Sequence, residues 1–144
     1  MKKGPIEQDL LVESLDKSGN GVGFLAEKKV LIRNALAGEL ATARILKRKR
    51  GIRFADGIRI QNPAAFRRDS SCKSFPRCGG CGLHHMTTSF QMEFKKKLLA
   101  DALKSLGVSP HHWMESVASA CLGYRRKARL GVRSVGSEVL VGFR

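Results

Sequence analysis

Short apolar runs separated by turn residues fill roughly the first sixty positions and predict about five β-strands. Residues 11–15 and 22–25 flank a stretch rich in Gly and Asn, which tolerate positive φ and so indicate a hairpin turn. Within residues 40–46 apolar and polar side chains alternate, which predicts a strand with one buried face, and Asp56-Gly57 predicts a further turn. Strands this short and this closely spaced are typical of a small closed five-stranded barrel of the OB kind, which we assign to residues 1–62.

The pattern changes twice after the predicted barrel. Pro, Ser, Gly and Cys replace the strand pattern in residues 63–86, so we expect a loop that is organised by its cysteines. Residues 87–144 begin with one long helix, since Thr88 and Gln91 fit a capping box, apolar residues recur at helical spacing, and Gly107 provides an end. Two more strands follow, and we interpret this part as the incomplete start of an α+β domain. The fold class is therefore mainly β with some α.

Composition narrows the class of protein. The chain has 144 residues, of which 27 are Lys or Arg and 12 are Asp or Glu, so its net charge is +15. Such a charge favours a polyanion as partner, and nucleic acid is the first to consider. No apolar run approaches the roughly 20 residues that span a bilayer. Acidic residues lie in the N-terminal stretch where a signal peptide would need an apolar core. We expect a cytoplasmic protein, a monomer, with no membrane partner.

Two dense basic runs are the candidate nucleic-acid contacts. We predict that their side chains contact phosphates rather than forming only a solvated charged face. The predicted contacts are Arg44, Lys47, Arg48, Lys49, Arg50 and Arg53 in the first run, and Arg125, Arg126, Lys127 and Arg129 in the second. Aromatic residues make up only 6% of the chain, which argues against base stacking by the barrel.

Three cysteines within ten residues predict a metal centre. Cys72, Cys78 and Cys81 are separated by five and then two residues, and two glycines lie between the last two cysteines, so the thiolates can converge on one metal. A fourth ligand could come from a neighbouring histidine, His84 or His85, for zinc, or from Cys121 for zinc or an iron–sulfur cluster. The plain alternative is three thiols without metal. Cys121 lies in an apolar setting and is better explained as a small core residue.

No other segment predicts a cofactor site or a catalytic group. The string Gly19-Asn20-Gly21-Val22-Gly23 resembles a nucleotide-binding loop, but it lies between two strands without a following helix and is better explained as a hairpin turn. His111-His112 follows a proline and has no acidic or nucleophilic neighbour to act with, so we interpret it as a solvated loop.

Three strings resemble parts of one known family. The first resembles the TRAM domain, a small OB-like RNA-binding barrel: Leu15-Asp16, Gly19-x-Gly21-Val22 and Ala35-Leu36-Ala37-Gly38-Glu39. The second resembles the iron–sulfur segment of bacterial RNA (uracil-5-)-methyltransferases: Cys72-x5-Cys78-Gly-Gly-Cys81-x-Leu83-x-His85, followed by Gln91, Lys95 and Leu103. The third looks like the start of that family's central domain: Gly123-Tyr124-Arg125-Arg126-Lys127-Ala128-Arg129-Leu130 and Gly142-Phe143-Arg144. The most similar members are those with a TRAM domain that methylate 23S ribosomal RNA.

The resemblance implies that Cys72, Cys78 and Cys81 bind a [4Fe-4S] cluster whose fourth cysteine lies beyond Arg144. It also implies that RNA, in particular 23S rRNA, is the partner. In that family S-adenosylmethionine binds to a later Rossmann-like domain, which also carries the catalytic residues. The chain would then be the N-terminal RNA-binding and iron–sulfur portion of a 5-methyluridine methyltransferase, with no catalytic residue and no methyl transfer of its own.

One departure and one alternative accompany this interpretation. His84 stands where the family commonly has Gln. The alternative function is a small stand-alone RNA-binding protein with a zinc site of three cysteines and His85. Iron or zinc in the protein would distinguish the two.

Overall fold

The computed structural model describes residues 4–76 and 78–143. Residues 1–3, Arg77 and Arg144 lie outside the described residues. The last residue of the Gly142-Phe143-Arg144 string is therefore not described. The eight strands and one helix agree with the predicted mainly β class. They are β1 Ile6–Leu11, β2 Ser14–Leu15, β3 Gly21–Leu25, β4 Lys28–Arg33, β5 Leu40–Lys49, β6 Ile52–Gln61, α1 Thr88–Ser105, β7 Gly131–Val135 and β8 Glu138–Gly142.

The first six strands form one open sheet in the order β1-β5-β6-β4-β3-β2. β4 and β6 are parallel and the other neighbouring pairs are antiparallel. No ladder joins β1 to β2 within the described residues, so the prediction of a closed five-stranded barrel is wrong. The predicted first strand, residues 11–15, is instead divided between β1 and β2. Between these strands, the backbone N–H groups of Val12 and Glu13 donate to the carbonyl oxygens of Glu39 (2.9 Å) and Val22 (2.8 Å). The chain passes there from one edge of the sheet to the other.

The buried face of this sheet forms the core. Along β5, Ala41, Ala43 and Ile45 are buried while the residues between them are half-exposed, which confirms the predicted alternation. Val30 and Ile32 of β4 pack into the same cluster and are fully buried. The sheet therefore has one apolar inner face and one outer face that is partly exposed to solvent.

The predicted turn at Asp56-Gly57 is wrong, because β6 continues through it. A Cβ on Gly57 would lie 3.0 Å from the Arg33 carbonyl oxygen, so the close approach of β4 favours glycine at this position. The register between β5 and β6 also shifts here, between Thr42 and Ala43. The glycine therefore marks an irregularity inside a strand.

Helix α1 begins one residue away from the predicted cap. Thr87, not Thr88, is the N-cap residue, and its Oγ1 accepts the Phe90 N–H at 3.4 Å. Gly107 has a φ of 72° directly after the C-cap residue, as the sequence predicts. No helix in residues 4–76 and 78–143 is long and apolar enough to cross a membrane.

The last two strands, β7 and β8, pair only with each other in the described part of the chain. Gly136, with a φ of 62°, lies in the turn between them. Apolar side chains of this hairpin are largely exposed, as are the residues that precede it.

Candidate nucleic-acid interface and cysteine loop

The first basic run forms the tip of the β5–β6 hairpin. Lys49 pairs with Ile52, and the two residues between them, Arg50 and Gly51, have φ values of 50° and 78°. Two positive φ values fit a two-residue turn of type I′, whose twist matches that of the strands. The four cations Lys47, Arg48, Lys49 and Arg50 are all exposed at this tip. We call these four residues the basic tip.

Two arginines face each other at the base of the tip. Arg48 and Arg53 are direct cross-strand partners in the register of β5 and β6. Like charges placed opposite each other destabilise a sheet. The positive field at this end of the hairpin is therefore concentrated at a cost to the fold, and an anion that binds there would remove that cost.

We expect Arg48→Gln to raise the free energy of unfolding by about 0.5 kcal/mol at low salt, because it removes one of two opposed charges. Urea unfolding at low and high ionic strength measures this effect, which should vanish at high salt. Arg59→Gln is the matched control, since Arg59 lies on the partner strand β6 opposite the uncharged Thr42. Equal effects of both substitutions would contradict the explanation by charge opposition.

Two predicted contact residues are held by the sheet. The Nη1 of Arg53 donates to the Leu25 carbonyl oxygen at 2.8 Å, and both Arg53 and Arg44 are half-buried. The Nε atoms of Arg44 and Arg53 are buried without a hydrogen-bond partner among the described residues. These two side chains therefore differ from the basic tip, whose cations all face solvent.

The second basic run lies on a separate element. Arg125, Arg126, Lys127 and Arg129 are exposed in the irregular segment before β7. The guanidinium carbon of Arg125 lies 5.7 Å from the Tyr124 ring centroid and 5.4 Å from that of Phe143. The first run thus lies in the six-stranded sheet and the second outside any strand, and in the described residues no hydrogen bond joins them.

The three cysteines of the loop are free thiols. Cys72 and Cys81 are exposed and Cys78 is half-buried. Three thiols without a disulfide have the donor chemistry of an iron–sulfur or zinc site. However, no group of three His, Cys, Asp or Glu side chains comes together for metal binding in the part of the chain that the structure describes. The ligand types fit a metal, but the loop does not bring them to one point.

Two histidines lie buried behind the cysteine loop. The Nδ1 of His84 lies 2.8 Å from the Ser70 hydroxyl. The ring of His85 stacks on Phe75 with 5.4 Å between centroids, and neither of its nitrogens has a hydrogen-bond partner among the described residues. Burial is the main cause that lowers the pKa of His85 to about 4. The positive charge of Arg67 and the neighbouring His84 lower this pKa as well, whereas the charge of Glu39 raises it.

The pKa of His85 predicts a loss of stability in mild acid. Because its folded pKa of about 4 is below the ordinary value of about 6.5, the unfolded chain binds the proton more tightly. The free energy of unfolding should therefore fall as the pH is lowered from about 6.5 to about 4, by on the order of 3 kcal/mol. Urea unfolding at stepped pH measures it. His85→Phe should flatten the curve in this window, whereas exposed His112→Gln should leave it unchanged; a wild-type curve without slope here contradicts the assignment.

A buried carboxylate links the sheet to the cysteine loop. Glu39 is fully buried, and its carboxylate accepts from Arg67 Nε (2.5 Å) and Nη2 (2.8 Å) and from the backbone N–H groups of Leu36 (2.8 Å) and Ala64 (3.1 Å). Arg67 also donates to the Asn34 carbonyl oxygen at 2.9 Å. Burial alone would raise the pKa of Glu39, but these hydrogen bonds and the charge of Arg67 together lower it. Nothing in the sequence indicates that Glu39 and Arg67 pair, apart from the position of Glu39 among apolar residues.

Glycines allow the cysteine loop to pack against its neighbours. A Cβ on Gly19 would overlap the Leu83 side chain, and one on Gly80 would lie 2.8 Å from the Phe143 ring. The turn before β3 therefore contacts the loop on one side, and Phe143 contacts it on another. Gly19 to Gly23 form the turn and start of a hairpin, as predicted.

Cys121 does not lie in the core, so that prediction is wrong. Its side chain is exposed, in a segment where the neighbouring residues are exposed as well. Hydrogen bonds with Arg68 and Thr88 lower the pKa of its thiol. His111 and His112 are exposed in an irregular segment, which confirms their interpretation as a solvated loop.

Comparison with known proteins gives two matches, one to a domain and one to whole proteins. The TRAM domain matches residues 6–58, which span most of the six-stranded sheet. Curated proteins named 23S rRNA (uracil(1939)-C(5))-methyltransferase RlmD match nearly the whole chain. The one from Nitrosospira multiformis is 39% identical over 93% of this chain, that from Pseudomonas fluorescens 36% over 96%, and that from Nitrosococcus oceani 37% over 99%.

The chain spans about a third of the length of these relatives, since the matches cover 31%, 31% and 34% of them. The resemblance found in the sequence strings is thus confirmed over almost all of the chain. By sequence, the chain carries a TRAM domain and is similar over nearly its whole length to 23S rRNA (uracil-C5)-methyltransferases, of which it corresponds to an N-terminal part.

Proposed function

We propose that this chain is the RNA-binding and iron–sulfur portion of a 23S rRNA (uracil-5-)-methyltransferase. The basic tip carries the proposal, because four exposed cations beside the two-residue turn of a hairpin form a site for phosphates. The TRAM domain and the rRNA-modifying relatives support RNA as the polyanion. Methyl transfer with S-adenosylmethionine is the proposed activity of the whole protein, and we assign no catalytic role to any residue of this chain.

The three functional parts are proposed with the boundaries predicted from sequence. Residues 1–62 bind RNA, residues 63–86 form the cysteine loop, and residues 87–144 begin the central domain. The hydrogen bonds from Arg67 to Glu39 support a fixed orientation of the second part on the first. A cluster loop held in this way would remain close to the RNA-binding sheet.

Salt titration of RNA binding tests the proposal. The probe is a single-stranded 23S rRNA fragment that contains uridine, and fluorescence anisotropy gives the dissociation constant of the intact chain at several salt concentrations. If the basic tip and two or three neighbouring cations contact phosphates, log K should fall with log salt with a slope of about −4 to −5. An affinity that does not depend on salt, or no binding at about 50 mM salt, would refute the proposal.

The metal site is a second part of the proposal. We propose that Cys72, Cys78 and Cys81 bind a [4Fe-4S] cluster, with the fourth ligand outside this group of three. When bound, the cluster would cross-link the loop and add a redox-active group. The unpartnered ring nitrogens of His85 favour one alternative, a zinc site of these cysteines and His85.

Iron, zinc and sulfide analysis of anaerobically purified protein distinguishes these sites. Iron with sulfide and a brown colour supports the cluster, and Cys78→Ser should abolish both. One zinc per chain that is lost in His85→Phe supports the alternative. Protein without metal would refute both sites in this chain.

A further inference from the structure

The outer face of the sheet carries a row of side chains that the basic tip does not explain. Leu31 of β4 pairs with Phe54 of β6, and Phe54 in turn pairs with Lys47 of β5. Successive side chains of a strand point to opposite faces. Because Ile32 and Ala55 are buried, Leu31 and Phe54 point outward. An aromatic ring therefore lies in the middle of the outer face, between an aliphatic side chain and a cation.

A bulge in β5 adds a second aliphatic side chain to this row. Ile45 pairs with Ala55 and Lys47 pairs with Phe54, so Leu46 is the extra residue between them. Leu46 is 49% exposed, so its side chain is available for contact with a ligand. Bulges change the direction of side chains and are frequent at functional sites. Here the bulge places Leu46 at the edge of the same depression as Phe54.

These residues form a shallow pocket of about 280 Å³. Its lining includes Asn20, Leu31, Arg33, Leu46, Lys47 and Phe54. Pockets for drug-sized ligands start at about 300 Å³, so this one suits a smaller planar group. It lies directly beside the basic tip, because Lys47 belongs to both.

The polar rim of the pocket has a defined geometry. The Nζ of Lys47 lies 5.1 Å from the Phe54 ring centroid. Arg33 is fixed by Asp56, with 2.6 Å between its Nε and the carboxylate. The Asn20 amide nitrogen donates to the Asp16 carboxylate at 3.0 Å, so this amide has one orientation. The Arg33–Asp56 pair is electrically balanced, and the unpaired cation at the rim is Lys47.

An apolar floor with one aromatic ring, beside a row of unpaired cations, matches one nucleotide of single-stranded RNA. A base can stack on the aromatic ring while the neighbouring phosphates meet the cations. An apolar peptide would use the floor but not the four cations, so the charge favours RNA. We propose that the outer face of the sheet binds one unstacked base at Phe54 and the adjoining phosphates at the basic tip. This proposal rests on the RNA-binding function above and adds a base contact to it.

Two RNA probes separate the base contact from the phosphate contacts. One is a single-stranded oligouridine, and the other is an oligomer of the same length with abasic residues. Phe54→Leu keeps an apolar side chain but removes the ring, and should weaken oligouridine binding about tenfold while leaving abasic binding unchanged. Phe54→Tyr keeps the ring and should bind oligouridine like the wild type. Urea unfolding of both variants shows whether the sheet is intact.

The outcomes distinguish this proposal from the one on which it rests. If the wild type binds both probes equally and Phe54→Leu changes neither, the base pocket is refuted while RNA binding stands. If Phe54→Leu weakens both probes by the same factor, the ring is structural and the pocket is again refuted. If the wild type binds neither probe, RNA binding itself fails.

Discussion

Glu39→Gln is expected to lower the free energy of unfolding by about 3–5 kcal/mol. The substitution removes the charge that balances Arg67, whose side chain is only 15% exposed, and it replaces an acceptor of four hydrogen bonds by an amide. A buried cation without its partner costs far more than the pair contributes when intact. Since small domains are stable by about 5–15 kcal/mol in total, much of the stability would be lost. Urea unfolding by circular dichroism measures the change.

The control for this substitution is Glu13→Gln, which removes the same charge at an exposed position. It should change the free energy of unfolding by less than about 0.5 kcal/mol. The double substitution Glu39→Gln with Arg67→Met removes both charges and should be less harmful than Glu39→Gln alone. A Glu39→Gln protein as stable as the Glu13→Gln control would show that the pair does not hold the loop on the sheet.

The second large effect concerns RNA affinity. Replacing Lys47, Arg48 and Lys49 together by Gln should reduce the magnitude of the salt slope by about 2, because three phosphate contacts on a single strand are lost. At about 50 mM salt the affinity should fall on the order of 100-fold, and the difference should shrink as salt rises. The sheet should remain folded, since these side chains are exposed. Anisotropy titrations with the rRNA fragment measure both quantities.

A variant with the same net charge provides the control. Lys17, Lys28 and Lys29 are exposed on the same sheet or its turns but outside the basic tip. Their joint replacement by Gln should leave the salt slope within about one unit of the wild type. Equal losses in the two variants would mean that RNA responds to the net charge of +15 and not to the hairpin.

Local features of the fold could be predicted from the sequence. The alternation around Ala43 and the glycine after α1 depend on neighbouring residues, and the structure agrees with both. Features that depend on register could not be predicted in this way. The row of Leu31, Phe54 and Lys47 exists only because three strands align, two of them in parallel, and because β5 has a bulge.

Contacts between distant residues explain the other differences. Glu39 and Arg67 are 28 positions apart, and nothing in either residue type identifies the other as its partner. The break between β1 and β2 coincides with two backbone hydrogen bonds at Val12 and Glu13, which side-chain patterns do not reveal. Cys121 has apolar neighbours in sequence, but those neighbours are themselves exposed, so apolar composition predicted burial that does not occur.

The central claim is that the β5–β6 hairpin is the RNA-binding surface of this chain. Ultraviolet cross-linking of the intact chain to the single-stranded 23S rRNA fragment, followed by mass spectrometry of the nucleotide-bearing peptides, tests it most directly. We predict cross-links in the peptides of β5 and β6, with Phe54 among the modified residues. Cross-links confined to residues 121–130, or to α1, with none in residues 40–61 would contradict it.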